Sequence, residues 1–227
     1  MDLTALDNPF WSSLNGPHAA WSQGSARARR YAPGFTPLLG FERPDAPDFS
    51  DLTPLCELGE RFYCKAWAGE APPDWQVLVE APALQMVWTV EPPSNPPPVD
   101  ARRLGPADQA AIEALVKVTQ PGPFGPRTRE MGEYWGVFEA DRLIAMTGER
   151  LHLGHLREVS GVCSAPEAQG RGLARALIET VVQAQLQRGQ TPFLHVMASN
   201  QRAVRLYEHM GFRTHQTVLL RVVARQG

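Results

Sequence analysis

A short loop, Gln169 to Arg175, holds the residues whose types and spacing best fit a chemical role. Gly170 and Gly172 have no side chain to block an anion, so successive backbone N–H groups can point at it. The helical pattern that follows adds positive potential at its N-terminus. The spacing predicts a phosphate seat formed by Gln169, Gly170, Arg171, Gly172, Leu173, Ala174 and Arg175. A glycine-rich turn that only caps a helix remains the alternative.

Two common phosphate loops do not fit these residues. A P-loop requires Lys followed by Ser or Thr directly after its second glycine, but Gly170 and Gly172 are followed by Arg171 and Leu173. A dinucleotide fingerprint requires a third glycine where this chain has Arg175. An oxidoreductase that uses a dinucleotide is therefore disfavoured.

Two further segments flank the loop at characteristic distances. Glu158-Val-Ser-Gly-Val-Cys163 precedes it, and Asn200-x-x-Ala-x-x-x-Tyr207-x-x-x-Gly-Phe212 follows it. In this order and spacing, the three segments resemble the acyl-CoA-binding core of the GNAT superfamily of N-acetyltransferases. The resemblance covers Glu158 to Phe212 and is compatible with the chain from Val99 onward. Gln169 replaces an Arg, and Ala174 a Gly, that are frequent in that family.

The resemblance implies acetyl-CoA as the acyl donor, with its pantetheine arm between two parted strands. It implies that backbone groups near Val162 and Cys163 stabilise an oxyanion and that Tyr207 protonates the leaving thiolate. Asn200 is implied as a cofactor contact, and its type also suits a helix N-cap. The alternative for Tyr207 is a ring packed one turn from Ala203 and Val204.

A primary amine attacks a thioester only as the free base, although an alkylammonium has a pKa of about 10.4. The site must therefore take up a proton or select the neutral minority of the amine. Glu158 is our candidate for the base, because related enzymes often place one on this strand. A Glu at the solvated margin of the sheet is the alternative. The reserve candidates are Glu149, His152, His155 and His195, of which His195 is more typical of a satisfied core residue.

The cysteines do not suggest a metal site or a disulfide framework. Cys56, Cys64 and Cys163 are odd in number and form no paired C-x-x-C pattern. We interpret Cys163 as a small buried hydrophobic residue rather than a catalytic thiol. No metal is expected.

Composition limits the classes of partner. The 227 residues carry a net charge of −2, which disfavours nucleic acid or an anionic membrane as the main partner. No apolar run approaches the roughly 20 residues of a membrane span, and Met1-Asp-Leu-Thr begins no signal peptide. We therefore expect a cytoplasmic protein, and the oligomeric state is open.

A proline-rich connector predicts the domain boundary. Residues 91–98 contain five prolines, which cannot continue through a helix or a central strand. Residues 1–90 are predicted to form a small α+β subdomain, with strands near Arg61–Trp67, Gln76–Glu80 and Leu84–Val90. We expect this subdomain to pack on the C-terminal domain, either with a fold of its own or as a degenerate copy of the C-terminal domain's fold.

Residues 99–227 are predicted to form the acetyltransferase domain. The patterns indicate strands at 101–104, 134–139, 143–150, 156–163, 193–197 and 217–223, and helices at 105–118, 170–188 and 200–210. By resemblance this is an α/β fold: a GNAT-like mixed, mostly antiparallel sheet with helices on both faces.

These observations predict an N-acetyltransferase acting on a primary amine of a small molecule, amino acid or peptide. A non-catalytic acyl-CoA-binding or regulatory module is the alternative. Gly122–Glu130 is a candidate acceptor loop, with a mobile surface turn as the other interpretation.

Overall fold

A computed structural model describes residues 2–91 and 99–227, so the predicted connector lies, apart from Glu91, outside the described residues. The strands are β1 Ser22–Gly24, β2 Ala28–Tyr31, β3 Leu39–Phe41, β4 Arg61–Lys65, β5 Trp75–Trp88, β6 Ala101–Arg103, β7 Tyr134–Glu139, β8 Arg142–Leu153, β9 Leu156–Ser164, β10 Thr191–Met197 and β11 Phe212–Arg225. The α-helices are α1 Pro9–Leu14, α2 Gln109–Thr119, α3 Leu173–Gln187 and α4 Gln201–Met210. Short 3-10 turns include Thr128–Met131 and Pro166–Ala168.

The strands form one large and one small sheet. Eight strands are ordered β4-β11-β5-β10-β9-β8-β7-β6, and β1-β2-β3 form a separate antiparallel sheet. Among the described strands of the large sheet, β9 and β10 are the only neighbours that run parallel. Helix α3 lies between them in the chain and carries it back to the end of the sheet at which β9 begins, as a parallel pair requires. The predicted α/β fold, with a mostly antiparallel sheet, is confirmed.

Strand β5 combines two strands that were predicted separately, Gln76–Glu80 and Leu84–Val90. Pro82 lies between them, and a proline removes a ladder donor. The strand nevertheless continues, because β10 pairs with β5 only from Ala83 onward. Pro82 lies opposite Leu219 of β11 on one side, and on the other its carbonyl accepts a hydrogen bond from the Ala198 N–H, just past the end of β10. The proline nitrogen faces the same side as that carbonyl, so its missing N–H interrupts neither the β11 ladder nor the β10 ladder.

The segment ahead of the connector contributes strands to the large sheet. β5 lies between β10 and β11, and β4 forms the edge beyond β11. The same segment holds the small sheet and α1, so its α+β composition agrees with the prediction. The division into residues 1–90 and 99–227 as folding units stays a prediction.

Two layers cover the large sheet. Helices α3 and α4 pack on one face through a cluster that includes Ile178, Val181 and Val204. Helix α1 and the N-terminal segment cover part of the other face through Phe10, Leu14 and their neighbours. Helix α2 packs against β8 and β9 with Ile112 and Leu115 buried, as its apolar spacing predicts.

Candidate active site

Strands β9 and β10 separate part of the way along their length. They pair in parallel only between Leu156–Glu158 and Thr191–Phe193. Beyond Glu158, β9 continues along β8, whereas β10 continues along β5. The result is a V-shaped opening within the sheet, with Glu158 at its vertex. The resemblance had implied parted strands at this place.

A β-bulge bends β9 just past the vertex. Ser160 pairs with Gly148 and Cys163 with Met146, so β9 holds one residue more than β8 over this interval. Gly161 has a φ of 64°, a left-handed conformation that glycine adopts at no steric cost. A bulge of this kind turns the strand and interrupts pairing.

The bulge sets which backbone groups face the opening. The N–H of Ala165 donates to the carbonyl of Ile144 on β8. Since backbone groups alternate along a strand, Cys163 also faces β8, whereas Val162 and Ser164 face the opening. Of the two predicted oxyanion donors, the geometry therefore favours Val162. The Cys163 side chain is buried, and burial raises the pKa of its thiol to about 11, in agreement with a packing role.

The predicted phosphate seat is an open turn ahead of α3. Gly170 and Gly172 have φ values of 78° and 80°, and a Cβ on either would meet nothing within 4 Å. No hydrogen bond joins the backbone N–H of any residue from Gly170 to Arg175 to an acceptor in the described parts of the chain. Six consecutive donors at a helix N-terminus suit a diphosphate, so the residues present fit the group that the resemblance implies.

The two arginines of this loop pair with carboxylates, and its Gln169 contacts helix α4. Arg171 forms an ion pair with Glu139, and Arg175 forms one with Glu179 at 2.9 Å. Arg171 and Glu139 are both exposed, which makes their pair weak and readily exchanged for a phosphate. Arg175 is also exposed, but its partner Glu179 is buried. The Gln169 side chain accepts a 3.4 Å hydrogen bond from Arg202 on α4.

Helix α4 presents the other two predicted contacts. Asn200 is the N-cap, and its Oδ1 accepts a hydrogen bond from the Ala203 N–H at 3.2 Å. Tyr207 is buried against Phe212, with ring centroids 5.9 Å apart. Burial raises the pKa of Tyr207 to about 12, so its hydroxyl keeps its proton at neutral pH. The cofactor contact of Asn200 and the acid role of Tyr207 stay predictions.

Glu158 is wholly buried in a polar cluster. Its carboxylate accepts hydrogen bonds from Arg150 Nε and Nη2 at 2.9 and 2.8 Å and from the Leu151 N–H at 3.2 Å. His195 Nδ1 lies 2.8 Å from the same carboxylate. Burial by itself would raise the pKa of the Glu158 carboxyl, but the Arg150 guanidinium outweighs it and holds that pKa well below its usual range.

This environment argues against our prediction that Glu158 takes a proton from the amine. A general base works best with a pKa near the operating pH, and the pKa here is moved the other way. Both carboxylate oxygens are already occupied by donors. The alternative of a solvated margin is also wrong, because Glu158 is 0% exposed.

The cluster extends to residues that the sequence did not point out. Gln85 donates to His195 Nε2 at 3.1 Å, and Gln216 donates to Gln85 at 2.8 Å. A single proton on His195 Nδ1 satisfies both of its contacts. His195 is thus the satisfied core residue that its type suggests. Arg150 and Gln85 were missed because nothing local reveals that four separate strands, β5, β8, β9 and β10, bring them together with Glu158 and His195.

The remaining reserve bases lie apart from the opening. Glu149 is buried in its own ion-pair network with Arg157 and Arg188. His152 is partly exposed and bonds to the carbonyl of Gly154, whereas His155 is exposed. Neither histidine reaches the vertex cluster through a hydrogen bond within the described chain.

The candidate acceptor loop is anchored rather than free. Pro123 of this loop accepts hydrogen bonds from Thr36 and Arg150, at 3.0 and 3.4 Å. The Arg127 N–H donates to the Gly34 carbonyl at 2.7 Å. The N-terminal segment thus holds the loop against the same face of the sheet that carries Glu158, and the alternative of a mobile surface turn loses support.

Over residues 2–91 and 99–227, no three His, Cys, Asp or Glu side chains gather closely enough to hold a metal ion. In the same residues, no helix has both the length and the apolar character needed to cross a bilayer.

Comparison with known proteins agrees with this geometry. The sequence model of the FR47-like protein family matches residues 134–221. A solved structure from Novosphingobium aromaticivorans, assigned to the GNAT family of acetyltransferases, is 36% identical with a TM-score of 0.88, covering 98% of this chain and 99% of its own. A GCN5-related N-acetyltransferase from Kribbella flavida shares the fold at 16% identity, with a TM-score of 0.63 and coverage of 100% and 97%. No match to a curated protein was found.

The chain therefore belongs to the GNAT family of acetyltransferases. Membership supports acetyl transfer in general, which leaves the donor and the acceptor to be argued.

Proposed function

We propose that this protein transfers an acetyl group from acetyl-CoA to a primary amine of a small molecule, amino acid or peptide. The observation that carries the proposal is the open loop with six consecutive backbone donors, Gly170 to Arg175, beside the V-shaped opening. Coenzyme A carries a diphosphate and a slender thiol arm, and the loop and the opening suit these two parts. Acetyl-CoA would supply the activated thioester.

The chain's own residues have distinct parts in this proposal. The loop, with Arg171 and Arg175, holds the diphosphate, and Gln169, Leu173, Ala174 and Asn200 border it. The N–H of Val162 faces the thioester from the opening. Tyr207 donates its proton to the leaving thiolate as the C–N bond forms and the C–S bond breaks, because burial keeps its hydroxyl protonated at neutral pH. The proton lost by the attacking nitrogen then returns to the Tyr207 oxygen.

In this proposal Glu158 is a positioning residue that holds neighbouring strands together, and it is not the general base that was predicted. Its pairing with Arg150 and His195 ties β8, β9 and β10 together at the vertex. The acceptor then enters as its neutral minority, about one molecule in 2,500 at pH 7 for an alkylamine. This predicts that log kcat/KM rises with pH up to the pKa of the amine, without a plateau set by a protein group.

The test combines binding and turnover. Acetyl-CoA is expected to raise the melting temperature, and thiol release from acetyl-CoA is expected to depend on an amine in a panel of amino acids, polyamines and short peptides. Tyr207→Phe should keep acetyl-CoA binding and lower kcat about a hundredfold. Tyr63→Phe, on the edge strand β4, is the matched control and should match wild type.

The alternative of a non-catalytic acyl-CoA-binding module makes a different prediction. It gives stabilisation by acetyl-CoA without thiol release for any amine. Absence of any stabilisation would contradict both functions.

A further inference from the structure

Tyr134, the first residue of β7, carries a hydroxyl that the fold does not use. The side chain is 1% exposed. Its hydroxyl has no hydrogen-bond partner among residues 2–91 and 99–227. Such a group destabilises a folded protein, so a buried polar atom without a partner calls for an explanation, and a ligand is one.

The ring lies across two glycines and ends at the bulge of β9. A Cβ on Gly148 would lie 2.3 Å from the Tyr134 ring, and one on Gly161 would lie 2.9 Å from Cε1 and 3.6 Å from the hydroxyl oxygen. Only glycine at both positions leaves room for this ring. The hydroxyl therefore lies beside Gly161, where β9 turns away from β10.

The neighbours of the hydroxyl offer it no acceptor. Phe124, from the loop ahead of β7, meets the Tyr134 ring edge to face with centroids 5.7 Å apart. Its ring also closes over the Gly161 position, 3.4 Å from where a Cβ would be. The next N–H in the chain, that of Val162, faces the opening. Two hydrogen-bond donors thus flank the same bend of β9.

The buried surroundings of the Tyr134 hydroxyl keep it protonated, so it remains able to donate a hydrogen bond. Burial raises the pKa of Tyr134 well above its usual value, and the nearby Arg150 and Glu158 act on it with opposite signs. A phenol that holds its proton cannot act as a base at neutral pH. It can donate to an oxygen that carries or gains negative charge.

We propose that Tyr134 is a further catalytic residue, whose hydroxyl donates a hydrogen bond to the carbonyl oxygen of the acetyl thioester beside the Gly161 bulge. The bond strengthens as the amine attacks and negative charge collects on that oxygen, and the proton stays on Tyr134. Tyr134 and the N–H of Val162 then act as two donors for one oxyanion. This inference rests on the proposed function.

The test compares wild type with Tyr134→Phe. The variant should bind acetyl-CoA about three- to tenfold more weakly and CoA, which lacks the carbonyl, equally well, as calorimetry would measure. The carbonyl stretch of bound acetyl-CoA, labelled with carbon-13 at that carbon, should lie at higher wavenumber in the variant. For any amine that wild type acetylates, kcat should fall about a hundredfold.

Tyr31→Phe provides the matched control. Tyr31 is also buried beside the Arg150–Glu158 pair, but its hydroxyl lies 2.9 Å from both Ser13 Oγ and His18 Nδ1. Loss of that hydroxyl should lower the melting temperature and leave the acetyl-CoA to CoA affinity ratio unchanged. Tyr134→Phe should keep or raise the melting temperature, because it removes an unsatisfied group.

Two results would overturn the inference alone: an unchanged affinity ratio and carbonyl stretch in Tyr134→Phe, or a fall in melting temperature as large as that of Tyr31→Phe. Failure of wild type to bind either CoA or acetyl-CoA would overturn the proposed function and this inference together. Binding of CoA by wild type therefore separates the two failures.

Discussion

Glu158 and Arg150 place two opposite charges inside the protein at the point where β9 and β10 part. Each has lost its water, and the pair is stable only because their hydrogen bonds are bidentate and the Leu151 N–H and His195 satisfy further positions. The position of Glu158 resembles that of a base in related enzymes. Its surroundings make it a poor base, because a nearby cation stabilises the charged form.

Glu158→Gln should destabilise the protein strongly. The substitution leaves the Arg150 guanidinium buried without a counter-charge, which costs about 3–5 kcal/mol. Urea denaturation at pH 7 measures it, with the exposed Glu139→Gln as control, for which a change below about 1 kcal/mol is expected.

A double variant separates structure from catalysis. Replacing both charges, Arg150→Met with Glu158→Leu, should recover most of the stability, since a buried pair and an apolar pair are often equivalent. We expect this variant to retain measurable acetyl transfer. A stable double variant with no turnover, together with a well-folded but inactive Glu158→Gln, would restore Glu158 as the base.

His18 should give the protein a pH-dependent stability. It is buried beside Ser13 and Tyr31, and burial lowers its pKa from 6.5 to about 3. Between these two values the unfolded chain binds a proton that the folded chain does not, so stability falls as the pH falls from 6.5 towards 3. At pH 5 this loss is about 2 kcal/mol.

Urea denaturation at pH 8 and pH 5 measures this effect. The difference between the two pH values should shrink in His18→Gln, even though the variant is less stable than wild type at pH 8. The exposed His215→Gln should keep the wild-type difference. An equal difference in His18→Gln and wild type would show that other groups cause the acid sensitivity.

At the scale of elements, the turn before α3 combines an unusual backbone with free donors. Gly172 is the N-cap of α3 in a left-handed conformation. The same backbone conformation recurs after the other end of the helix at Gly189, with a φ of 70° and open space around it. The two glycines differ in surroundings: one borders the proposed diphosphate seat, and the other borders solvent.

Gly172→Ala and Gly189→Ala form a matched pair. Each places a Cβ on a left-handed residue and should cost about 1–2 kcal/mol of stability. Only Gly172→Ala should also weaken CoA binding, about tenfold or more, because its methyl group stands among the backbone donors. Isothermal titration calorimetry measures the affinity of each variant for CoA. Equal CoA affinities in the two variants would show that the diphosphate does not bind at Gly172.

At the scale of the whole molecule, the large sheet combines strands from both sides of the proline-rich segment: β5, which precedes it in the chain, lies between β10 and β11. β10 pairs with β5 over Phe193–Met197, and β11 pairs with β5 over its full length. The N-terminal segment also buries the face of the sheet that holds Glu158. A fragment that lacks this segment would expose unpaired strand edges and an apolar face.

Residues 99–227 should therefore not fold by themselves. We expect the fragment to show no cooperative thermal transition by circular dichroism, and to gain one when co-expressed with residues 1–91. A fragment 99–227 that is soluble and melts cooperatively would support the predicted division into two domains.

The sequence predicted the glycine turn ahead of α3 and the order of most elements because their signals are local; phosphate binding at that turn stays a prediction. Glycine spacing, an N-cap Asn and apolar periodicity act within about a turn or a strand, so Gly172, Asn200 and the helix at 170–188 could be interpreted without knowing their neighbours. The role of Glu158 could not, because it depends on Arg150 from β8 and His195 from β10. The two predicted strands, Gln76–Glu80 and Leu84–Val90, proved to be one for the same reason: whether β5 continues through Pro82 depends on which neighbouring strand the proline nitrogen faces.

The sequence by itself determined the glycine turn ahead of α3 and the Asn200 cap of α4, since a turn and a helix end need only nearby residues. The motifs in these segments also predicted the GNAT family, and the diphosphate site at the turn stays a prediction. Tertiary structure alone decided which charges meet at the vertex, that Tyr134 reaches the bulge at Gly161, and that β5 lies beside β10. These depend on contacts between residues far apart in the chain, for which burial and strand register, rather than local propensity, set the energy.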